Sequence, residues 1–546
     1  MVPDSQSKVL RLPCVVQLGF AGSRHWIECG LLSADMEVKL AELLRAVIRS
    51  LPEILKLEPH HFLCGISQLA IGADTLFTRT CAAEGIPQRL FLPQPHDVFL
   101  SAMALDGTPD FTDDENQVAA GLLGSPHLIQ ERVVSVAADR PTRFQDVNSE
   151  IVRVSDVLIG LTRENASTTP GGTRDFIRLA IEGRKPTLEL QLVWTDGVPR
   201  LEETWHNLDH FNWLPELPEE VAEIQMPVGA GQRTLPTVAM FCDAVKAHTS
   251  QVASKSQATF SRAAIVIIGT HILATLFATL ALALHGSHSE HDATIAPPFG
   301  LISLLVMGVG LLSWGYATHQ RLHHAEATGT WALNRLLAEI NRSVMQIGPL
   351  HMYLDYLFHL RLPNRFRPLL RTINVLHLSS TRIEIGTWQS LREMYLRQRL
   401  TDVETGQITY YERRAHREER LLVLFRCLFQ MCSALATTAT AIKVGVLLKW
   451  LPTTTESESA ATGLLGLCAV VLPVMAVGVM SWSAAMDYAA RVNTYQKTAA
   501  WLRTQCDEFK LASSQSEFQR LVSETEFGLI GETAEWYLRR SFTSVT

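Results

Sequence analysis

The chain has 546 residues, and its 48 Lys and Arg against 55 Asp and Glu leave a formal net charge of −7. This length is too great for one core at ~100–200 residues per domain and predicts three or four units. The acidic balance gives no support to nonspecific nucleic-acid binding, and nine scattered cysteines without a Cys-x-x-Cys spacing indicate reduced thiols in a cytosolic setting.

The N-terminal part alternates short apolar runs with amphipathic helical patterns. Residues 13–24 are a β-type run ending in a glycine-rich turn, and Ser33–Ser50 has helical periodicity. Further strands are predicted at His61–Ile66, Gln88–Leu92, Arg132–Ala137, Asp156–Leu161 and Pro186–Trp194, and helices at Gly72–Glu84, Asp146–Val154 and Thr173–Gly183. This order predicts an α/β, Rossmann-like domain with a parallel sheet, helices on both faces and a ligand site beyond the carboxyl ends of the strands.

Three glycine-rich turns each follow a predicted strand and precede a predicted helix. The first is Gly19-Phe20-Ala21-Gly22-Ser23-Arg24, the second runs from Gly65 to Asp74, and the third from Thr169 to Thr173. Glycines let the backbone approach a phosphate or ribose, while amides, a hydroxyl and a guanidinium bind the anion. Such turns also serve as tight connections, and Asp74 also suits a helix N-terminus as a charge on the dipole. The candidate ligand-binding residues are Gly19, Gly22, Ser23, Arg24, Gly65, Gly72, Asp74, Gly171, Gly172 and Thr173.

The motifs GFAGSR, GISQLAIGADTL, FLP, SDVLIGL, PGGT and GRKP follow one another over about residues 10–195. In this order they resemble the SLOG superfamily, the Rossmann-like group that includes DprA and the "lonely guy" phosphoribohydrolases. The resemblance implies that the glycine turns bind a nucleotide or a nucleotide-derived second messenger, without a further cofactor. Residues Gly22 to Arg24 would then meet its phosphate or ribose.

The third turn departs from the hydrolase members of that superfamily. Their PGGxGTxxE motif carries a glutamate that takes part in N-glycosidic cleavage, and Arg178 stands at that position here. Glu182 lies one helical turn further on and is the alternative carboxylate. We therefore expect ligand sensing with no catalytic residue, and a membrane-anchored nucleotide N-glycosidase is the alternative. The acidic balance and the membrane anchor argue against a DprA-like role on single-stranded DNA, so no nucleic-acid partner is expected.

Two segments of the N-terminal half carry weaker patterns. The insert Pro93–Ile129 is polar with few β signals and is predicted to be a loop or cap near the ligand site. Residues 195–250 show little periodicity and are predicted to serve packing and linkage. His206 and His210 would share a face if that stretch were helical, but they lack a third ligand, and His60-His61 suit a surface or core position. No metal site is expected.

The C-terminal half contains four uncharged apolar runs, each long enough to form or centre a membrane span of roughly 30 Å. The runs are Ala263–Leu284, Phe299–Ala317, Cys427–Ile442 and Ala460–Ala485. The connectors GSHSEHDATIAPP and LPTTTESESAA contain no Lys or Arg, whereas Thr318–Leu421 contains fifteen Arg. The positive-inside rule therefore predicts a multi-pass inner-membrane protein with both termini in the cytoplasm. The fold class expected is an α/β domain plus an all-α region of four transmembrane helices.

The segment from Tyr395 to Ala415, which leads into the third apolar run, resembles the entry to SLATT domains. These two-helix membrane modules associate with SLOG domains and are proposed to form pores in bacterial defence. The resemblance implies a homo-oligomeric, pore-forming effector that responds to the nucleotide signal in anti-phage or conflict defence, with a passive scaffold as a further alternative. The domains expected are 1–195 for ligand binding, 196–255 as a linker, 256–345 as the first hairpin with its following helix, 346–420 as an Arg-rich cytosolic segment, and 421–546 as the second hairpin with the C-terminal helix.

Overall fold

The structure is a computed structural model in which the chain forms two compact units. Residues 1–245 and 351–383 belong to the first, the α/β unit, and residues 246–350 and 384–546 belong to the second, the helical unit. The residues described are 8–23, 34–70, 72–102, 111–163, 169–195, 198–209, 213–228, 236–288, 299–324, 327–350, 352, 354–360, 362–380, 387–448, 450 and 455–543.

The α/β unit is built on a seven-stranded sheet. The strands of the described chain are β1 Lys8–Arg11, β2 Cys14–Gly22, β3 His61–Ser67, β4 Gln88–Leu92, β5 Leu128–Val133, β6 Val157–Arg163, β7 Thr187–Thr195, β8 Val198–His206 and β9 Gln225–Val228. The sheet order is β5-β4-β3-β2-β6-β7-β8, with every pair parallel except β7 and β8. Strands β1 and β9 form a separate antiparallel pair. The predicted parallel sheet is confirmed, with one antiparallel strand added at its edge.

The helices account for most of the remaining described residues. They are α1 Ala34–Ile54, α2 Ala73–Ala83, α3 His96–Leu100, α4 Asp113–Leu123, α5 Arg140–Val154, α6 Thr173–Glu182, α7 Glu219–Ala222, α8 Val238–His288, α9 Phe299–His324, α10 Ala327–Ile347, α11 Asp355–Phe358, α12 Arg367–Ser379, α13 Trp388–Tyr395, α14 Gln407–Leu447, α15 Thr455–Ala485, α16 Tyr488–Leu511 and α17 Gln515–Thr543. A π-helical segment, Leu396–Thr401, follows α13.

Strand β2 lies in the middle of the sheet, and its successive side chains enter two different cores because they alternate between faces. Leu18 and Phe20 pack with α1 and α2, where the Phe20 and Phe77 rings stack with centroids 4.3 Å apart. Ala21 packs on the opposite face with Ile151 of α5 and Phe176 of α6. Helices therefore cover both faces, as the strand–helix alternation predicts.

The structure corrects three of the weaker predictions. Strand β5 occupies Leu128–Val133 rather than Arg132–Ala137, because an edge strand with only two of its six residues buried has little apolar alternation. The insert Pro93–Ile129 contains α3, α4 and the start of β5 rather than only a loop, and Thr112 caps α4 in a capping box with Glu115. The stretch 195–250 contributes β8, so His206 lies in a strand.

Helix α12 comes from the Arg-rich segment but packs within the α/β unit. Strand β6 pairs with β2 only from Leu18 onward, which leaves the first half of β2 without a neighbour on that side. The Val15 N–H donates to Thr372 Oγ1 of α12 at 3.0 Å. Arg371 Nη1 donates to Asp156 Oδ1 at 2.6 Å, and the other oxygen of Asp156 accepts from the Gln17 N–H. Helix α12 therefore completes the hydrogen bonding of the central strand.

The helical unit carries the apolar segments. Within the described residues, four helical segments are long and apolar enough to cross a membrane, namely Val238–Leu282, Gly300–His324, Gln407–Leu447 and Thr462–Leu511. Each overlaps one of the four predicted apolar runs, and large apolar side chains such as Val306, Leu464 and Val477 are exposed on them. Exposed apolar surface of this extent fits contact with lipid. A helical region with four candidate spans is thus confirmed.

Candidate functional site

A cleft of about 730 Å³ opens in the α/β unit where the strand order reverses. From β2 the chain builds β3, β4 and β5 to one side and then crosses to β6 on the other, so the connections after β2 and β6 lead to helices on opposite faces of the sheet. Ligands of open α/β sheets bind at such a switch point. The cleft is lined by Ala21, Gly22, Ser23, Gln68, Ala70, Asp74, Arg140, Pro141, Phe144, Asn148, Arg163, Thr169, Pro170, Gly171, Gly172, Thr173 and Arg174.

The first glycine turn lies against the start of α2. The Gly22 N–H donates to Asp74 Oδ1 at 2.9 Å, and the Ala73 N–H donates to the Ser23 carbonyl at 3.3 Å. A Cβ on Gly22 would lie 2.2 Å from the Cβ of Ala73, so only glycine allows this close approach. Asp74 is buried and holds the turn in place. Gly22 and Ser23 of the first predicted turn therefore meet Asp74 of the second at the cleft.

Three of the predicted glycines do not line the cleft. Gly19 and Gly65 lie inside strands, where a Cβ would come within 2.4 Å of Ser155 Oγ and of Gln88 Nε2 respectively. Gly72 precedes α2 with a φ of 94°, a backbone conformation that favours glycine. Their glycine identity is therefore explained by packing and backbone geometry. Arg24, the cation of the first turn, lies outside the described residues.

The third turn forms the opposite wall. Gly171 has a φ of 78°, and its N–H donates to Asp175 Oδ2 at 3.0 Å. Gly172 is the N-cap residue of α6, and Thr173 is its first helical residue. All three predicted residues of this turn line the cleft. The predicted convergence of the three turns on one sheet edge is thus found for six of the ten candidate residues.

Two buried amides that the motifs did not single out join the turns. Gln68 Nε2 donates to Asn148 Oδ1 at 2.8 Å, and Asn148 Nδ2 donates to the Gly171 carbonyl at 2.9 Å. Gln68 and Asn148 are 4% and 1% exposed, yet Gln68 Oε1 has no hydrogen-bond partner in the described chain. A ligand N–H or O–H can supply the hydrogen bond that this buried amide oxygen lacks. Gln68 stands in the GISQLAIGAD stretch, whereas no local pattern marks Asn148.

The charges at the cleft favour an anion. Arg140, Arg163 and Arg174 line it, and Asp74 is the one carboxylate among the lining residues described. The first turns of α2, α5 and α6 also reach the cleft, and helix N-termini carry partial positive charge. The Phe144 ring lies beside these groups, with Arg140 Cζ 5.9 Å from its centroid. The cleft thus offers guanidinium groups, backbone amides and one aromatic face.

Arg178, which stands where the hydrolase members of the superfamily carry their glutamate, lies outside the cleft. Arg178 donates to Asp175 Oδ1 at 2.6 Å and to Glu182 Oε1 at 2.8 Å, and the Glu182 side chain is 58% exposed. Neither Arg178 nor Glu182 lines the cleft. Glu182 therefore occupies a solvated helix face.

The described histidines considered as possible metal ligands, His60, His61 and His206, do not line the cleft. His206 Nε2 lies 3.1 Å from Glu189 Oε2 on the neighbouring strand, and His210 is outside the described residues. The ligand atoms of His60, His61 and Glu216 lie within 4.8 Å of one another, a spacing that can hold a metal ion. Both ring nitrogens of His61 already have backbone partners, since Nδ1 accepts from the Glu58 N–H and Nε2 donates to the Pro215 carbonyl. Metal ligation by His61 would cost one of these bonds.

Comparisons with protein-family models, curated proteins and solved structures gave no match. The superfamily membership suggested by the motifs therefore stays a prediction. Function is inferred below from the lining residues of the cleft and from the apolar helices.

Proposed function

We propose that this chain is a membrane receptor whose α/β unit binds a nucleotide or nucleotide-derived signal in the cleft, and whose membrane helices respond. The observation that carries the proposal is the meeting of three guanidinium groups, three helix N-termini and two glycine turns at the strand-order reversal. Guanidinium groups and helix N-termini are the usual partners of phosphate in proteins. The SLOG resemblance points to the same ligand class.

The dimensions and the neutral groups of the cleft support a nucleotide in particular. Its volume of about 730 Å³ falls within the range of ~300–1,000 Å³ typical of small-molecule sites. A phosphate would lie near Arg174 and the N-terminus of α6, and Phe144 offers a face on which a base can stack. Gln68 Oε1 would accept a hydrogen bond from an amino or hydroxyl group of the ligand.

Binding is favoured over N-glycosidic hydrolysis because the cleft has few groups for acid–base chemistry. A general acid or base must reach the reacting atoms within about 3 Å or through one water. Asp74 already accepts the Gly22 N–H, and Glu182 is ion-paired on the exposed side of α6. We therefore propose a sensor rather than an enzyme.

The response is proposed to occur in the four apolar helices of the helical unit. A ligand shifts the membrane region only if it binds one arrangement of the chain more tightly than another. We propose an inner-membrane, homo-oligomeric protein with cytoplasmic termini that changes membrane permeability, as the SLATT resemblance implies, in anti-phage or conflict defence. The charge asymmetry of the connectors supports the orientation.

The test is mass spectrometry of small molecules released on denaturation from full-length protein purified in detergent. The expected result is a phosphate-bearing nucleotide in amounts comparable to the protein. Adding that nucleotide to dye-loaded liposomes that contain the protein is then expected to release the dye. A released molecule without phosphate would contradict the binding half of the proposal, and intact liposomes would contradict the response.

A further inference from the structure

A second cavity, separate from the cleft, lies entirely in the helical unit and has a volume of about 180 Å³. We call it the interfacial cavity. Its walls come from α8, α10, α14, α16 and α17, and the lining residues used below are Trp331, Arg335, Glu339, Arg342, Arg414 and Arg491. No part of the proposed function assigns a role to it.

The position of the interfacial cavity along the chain places it at one end of the candidate spans. The lining residues of α8, 250–257, precede the first apolar run, and Arg414 of α14 precedes the third. Arg491 of α16 follows the fourth run by six residues, which is about 9 Å of helix. Antiparallel spans bring the start of odd runs and the end of even runs to the same side. This side is the one predicted to be cytoplasmic.

The charged side chains among the described lining residues of the interfacial cavity are mostly basic. Four guanidinium groups and one carboxylate line it. Arg342 donates to Glu339 Oε2 at 2.6 Å, and Arg491 Nη2 donates to Glu418 at 2.8 Å. Arg491 Nε is nevertheless buried without a hydrogen-bond partner in the described chain. A buried donor of a charged group costs free energy unless a ligand or water satisfies it.

Two of the guanidinium groups have no ion pair and no hydrogen bond with any described residue. Arg335 Cζ lies 5.3 Å from the ring centroid of Trp536, and Arg414 Cζ lies 5.5 Å from that of Tyr410. Both groups are thus oriented by aromatic rings rather than by a carboxylate. Burial raises the pKa of the nearby Glu532 carboxyl, Arg335 lowers it, and Tyr411 donates a hydrogen bond to this carboxyl at 3.2 Å. Arg335 and Arg414 thus bring to the interfacial cavity two guanidinium groups that can donate hydrogen bonds to an anion.

The size and the surroundings of the interfacial cavity narrow the choice of anion. At about 180 Å³ it is smaller than the ~300–1,000 Å³ of sites for whole nucleotides or cofactors, so it suits a single phosphate group. Arginine is the residue that binds phosphate through two parallel hydrogen bonds. Trp331 and Trp536 pack edge-to-face with centroids 4.9 Å apart, and tryptophan is typical of the level of lipid headgroups.

We propose that the interfacial cavity binds the phosphate group of an anionic phospholipid from the cytoplasmic leaflet. Basic pockets between membrane helices on this side are suited to such headgroups. The phosphate would contact Arg335 of α10, Arg414 of α14 and Arg491 of α16, three helices that each adjoin a different apolar run. The bound lipid therefore stabilises the arrangement of these helix ends.

The test uses full-length protein in detergent and follows its thermal unfolding midpoint. Three probes are added separately, namely dihexanoyl phosphatidylglycerol, dihexanoyl phosphatidylcholine and sodium phosphate. A ligand that binds only the folded state raises the midpoint in proportion to its occupancy. Phosphatidylglycerol is expected to raise the midpoint at the lowest concentration, because its headgroup carries net negative charge and its chains reach the lipid side. Phosphatidylcholine and sodium phosphate are expected to act only at much higher concentrations.

Arg414→Gln and Arg335→Gln are expected to raise the half-saturating concentration of phosphatidylglycerol at least about tenfold, as loss of a charge-assisted hydrogen bond does. Arg417→Gln is the matched control, because Arg417 lies on the same helix but is exposed and does not line the cavity. If Arg335→Gln fails to fold, Arg414→Gln carries the test alone, with native mass spectrometry of retained lipid as a second measurement. Equal half-saturation for wild type and Arg414→Gln would overturn the proposal. A response to sodium phosphate as strong as that to phosphatidylglycerol would overturn the lipid as its source.

Discussion

The side-chain amide of Asn148 donates a hydrogen bond of 2.9 Å to the main-chain carbonyl of Gly171. Its oxygen accepts from Gln68 at 2.8 Å, so one buried side chain of α5 connects the turn after β3 with the turn after β6. Because the Gly171 N–H is held by Asp175 as well, the third turn is ordered before any ligand arrives. Preorganised donors of this kind lower the entropic cost of binding.

The first prediction concerns the cations of the cleft. Arg174→Gln is expected to weaken nucleotide binding about tenfold or more, because it removes a charge-assisted hydrogen bond to phosphate. Arg178→Gln, one turn further along α6 and outside the cleft, is the control and is expected to bind like wild type. Isothermal titration of the full-length protein with the nucleotide identified by mass spectrometry measures the difference. Equal affinity of Arg174→Gln and wild type would show that the phosphate lies elsewhere.

The second prediction separates sensing from catalysis. Glu182→Ala is expected to leave ligand binding and response unchanged, since Glu182 is 58% exposed and contacts Arg178. Gly172→Val is expected to abolish binding, because a branched side chain at the N-terminus of α6 blocks close approach of phosphate to the backbone. Nucleotide release is followed chromatographically beside binding. Turnover of nucleoside monophosphates that is lost in Glu182→Ala would favour the N-glycosidase alternative.

The third prediction concerns membrane topology. Reporter fusions at residues 288 and 456 are expected to report the outside of the inner membrane, and fusions after residue 350 and at the C-terminus the inside. The reason is the absence of Lys and Arg from both short connectors and the fifteen Arg between the hairpins. A phosphatase and a fluorescent-protein reporter, compared at each position, make the measurement. An outside signal after residue 350 would contradict the four-span arrangement.

The fourth prediction concerns the contact between α12 and the sheet. Arg371→Ala is expected to lower the free energy of unfolding by on the order of 3 kcal/mol, because it leaves Asp156 buried without its cation. Arg365→Ala is the control, since Arg365 is 52% exposed beside Glu220 and a surface ion pair is worth about 1 kcal/mol or less. Urea unfolding of full-length protein in detergent, followed by fluorescence, compares the two. A smaller loss for Arg371→Ala than for Arg365→Ala would contradict a structural role for this ion pair.

The fifth prediction is a loss of stability in alkali. Burial raises the pKa of the Cys64 thiol from its ordinary value to about 12, so the folded state keeps a proton that the unfolded state releases near pH 9. The free energy of unfolding therefore falls as pH rises from about 9 toward 12, by up to about 1.4 kcal/mol per pH unit for this thiol. Cys64→Ala is expected to flatten the pH profile by that slope, whatever its effect at pH 7. An unchanged slope between pH 9 and 11 would contradict the prediction.

Local motifs were sufficient to predict the parts of the cleft that lie in strand-to-helix turns. Ser23 and Thr173 each follow a glycine, Asp74 stands two residues after one, and all three lie where a turn leads from a predicted strand into a helix, so parallel-sheet topology alone brings them together. Glycine is required at the positions of this pattern for more than one physical reason, however. Gly19 and Gly65 are required by neighbouring side chains inside the sheet, which no single-sequence pattern distinguishes from a ligand loop.

The rest of the site depends on contacts between distant segments. Asn148 and Phe144 lie on α5, which follows the half-exposed edge strand β5, and neither belongs to a glycine turn. Thr372 completes the hydrogen bonding of β2 from a position 357 residues further along the chain. Periodicity and turn chemistry act within about twenty residues, so they cannot reveal which helix covers an unpaired strand.

The same helix α12 makes the α/β unit discontinuous in the chain, and this affects the order in which the protein is made. Its residues 351–383 leave the ribosome only after the first two apolar helices, on the order of ten seconds after residue 245 at ~5–20 residues per second. Until then Val15 and Asp156 lack their partners, and the sheet is unfinished while the first hairpin enters the membrane. A soluble fragment of the α/β unit should therefore join residues 1–245 to 351–383, because one that stops at residue 245 carries an incomplete domain.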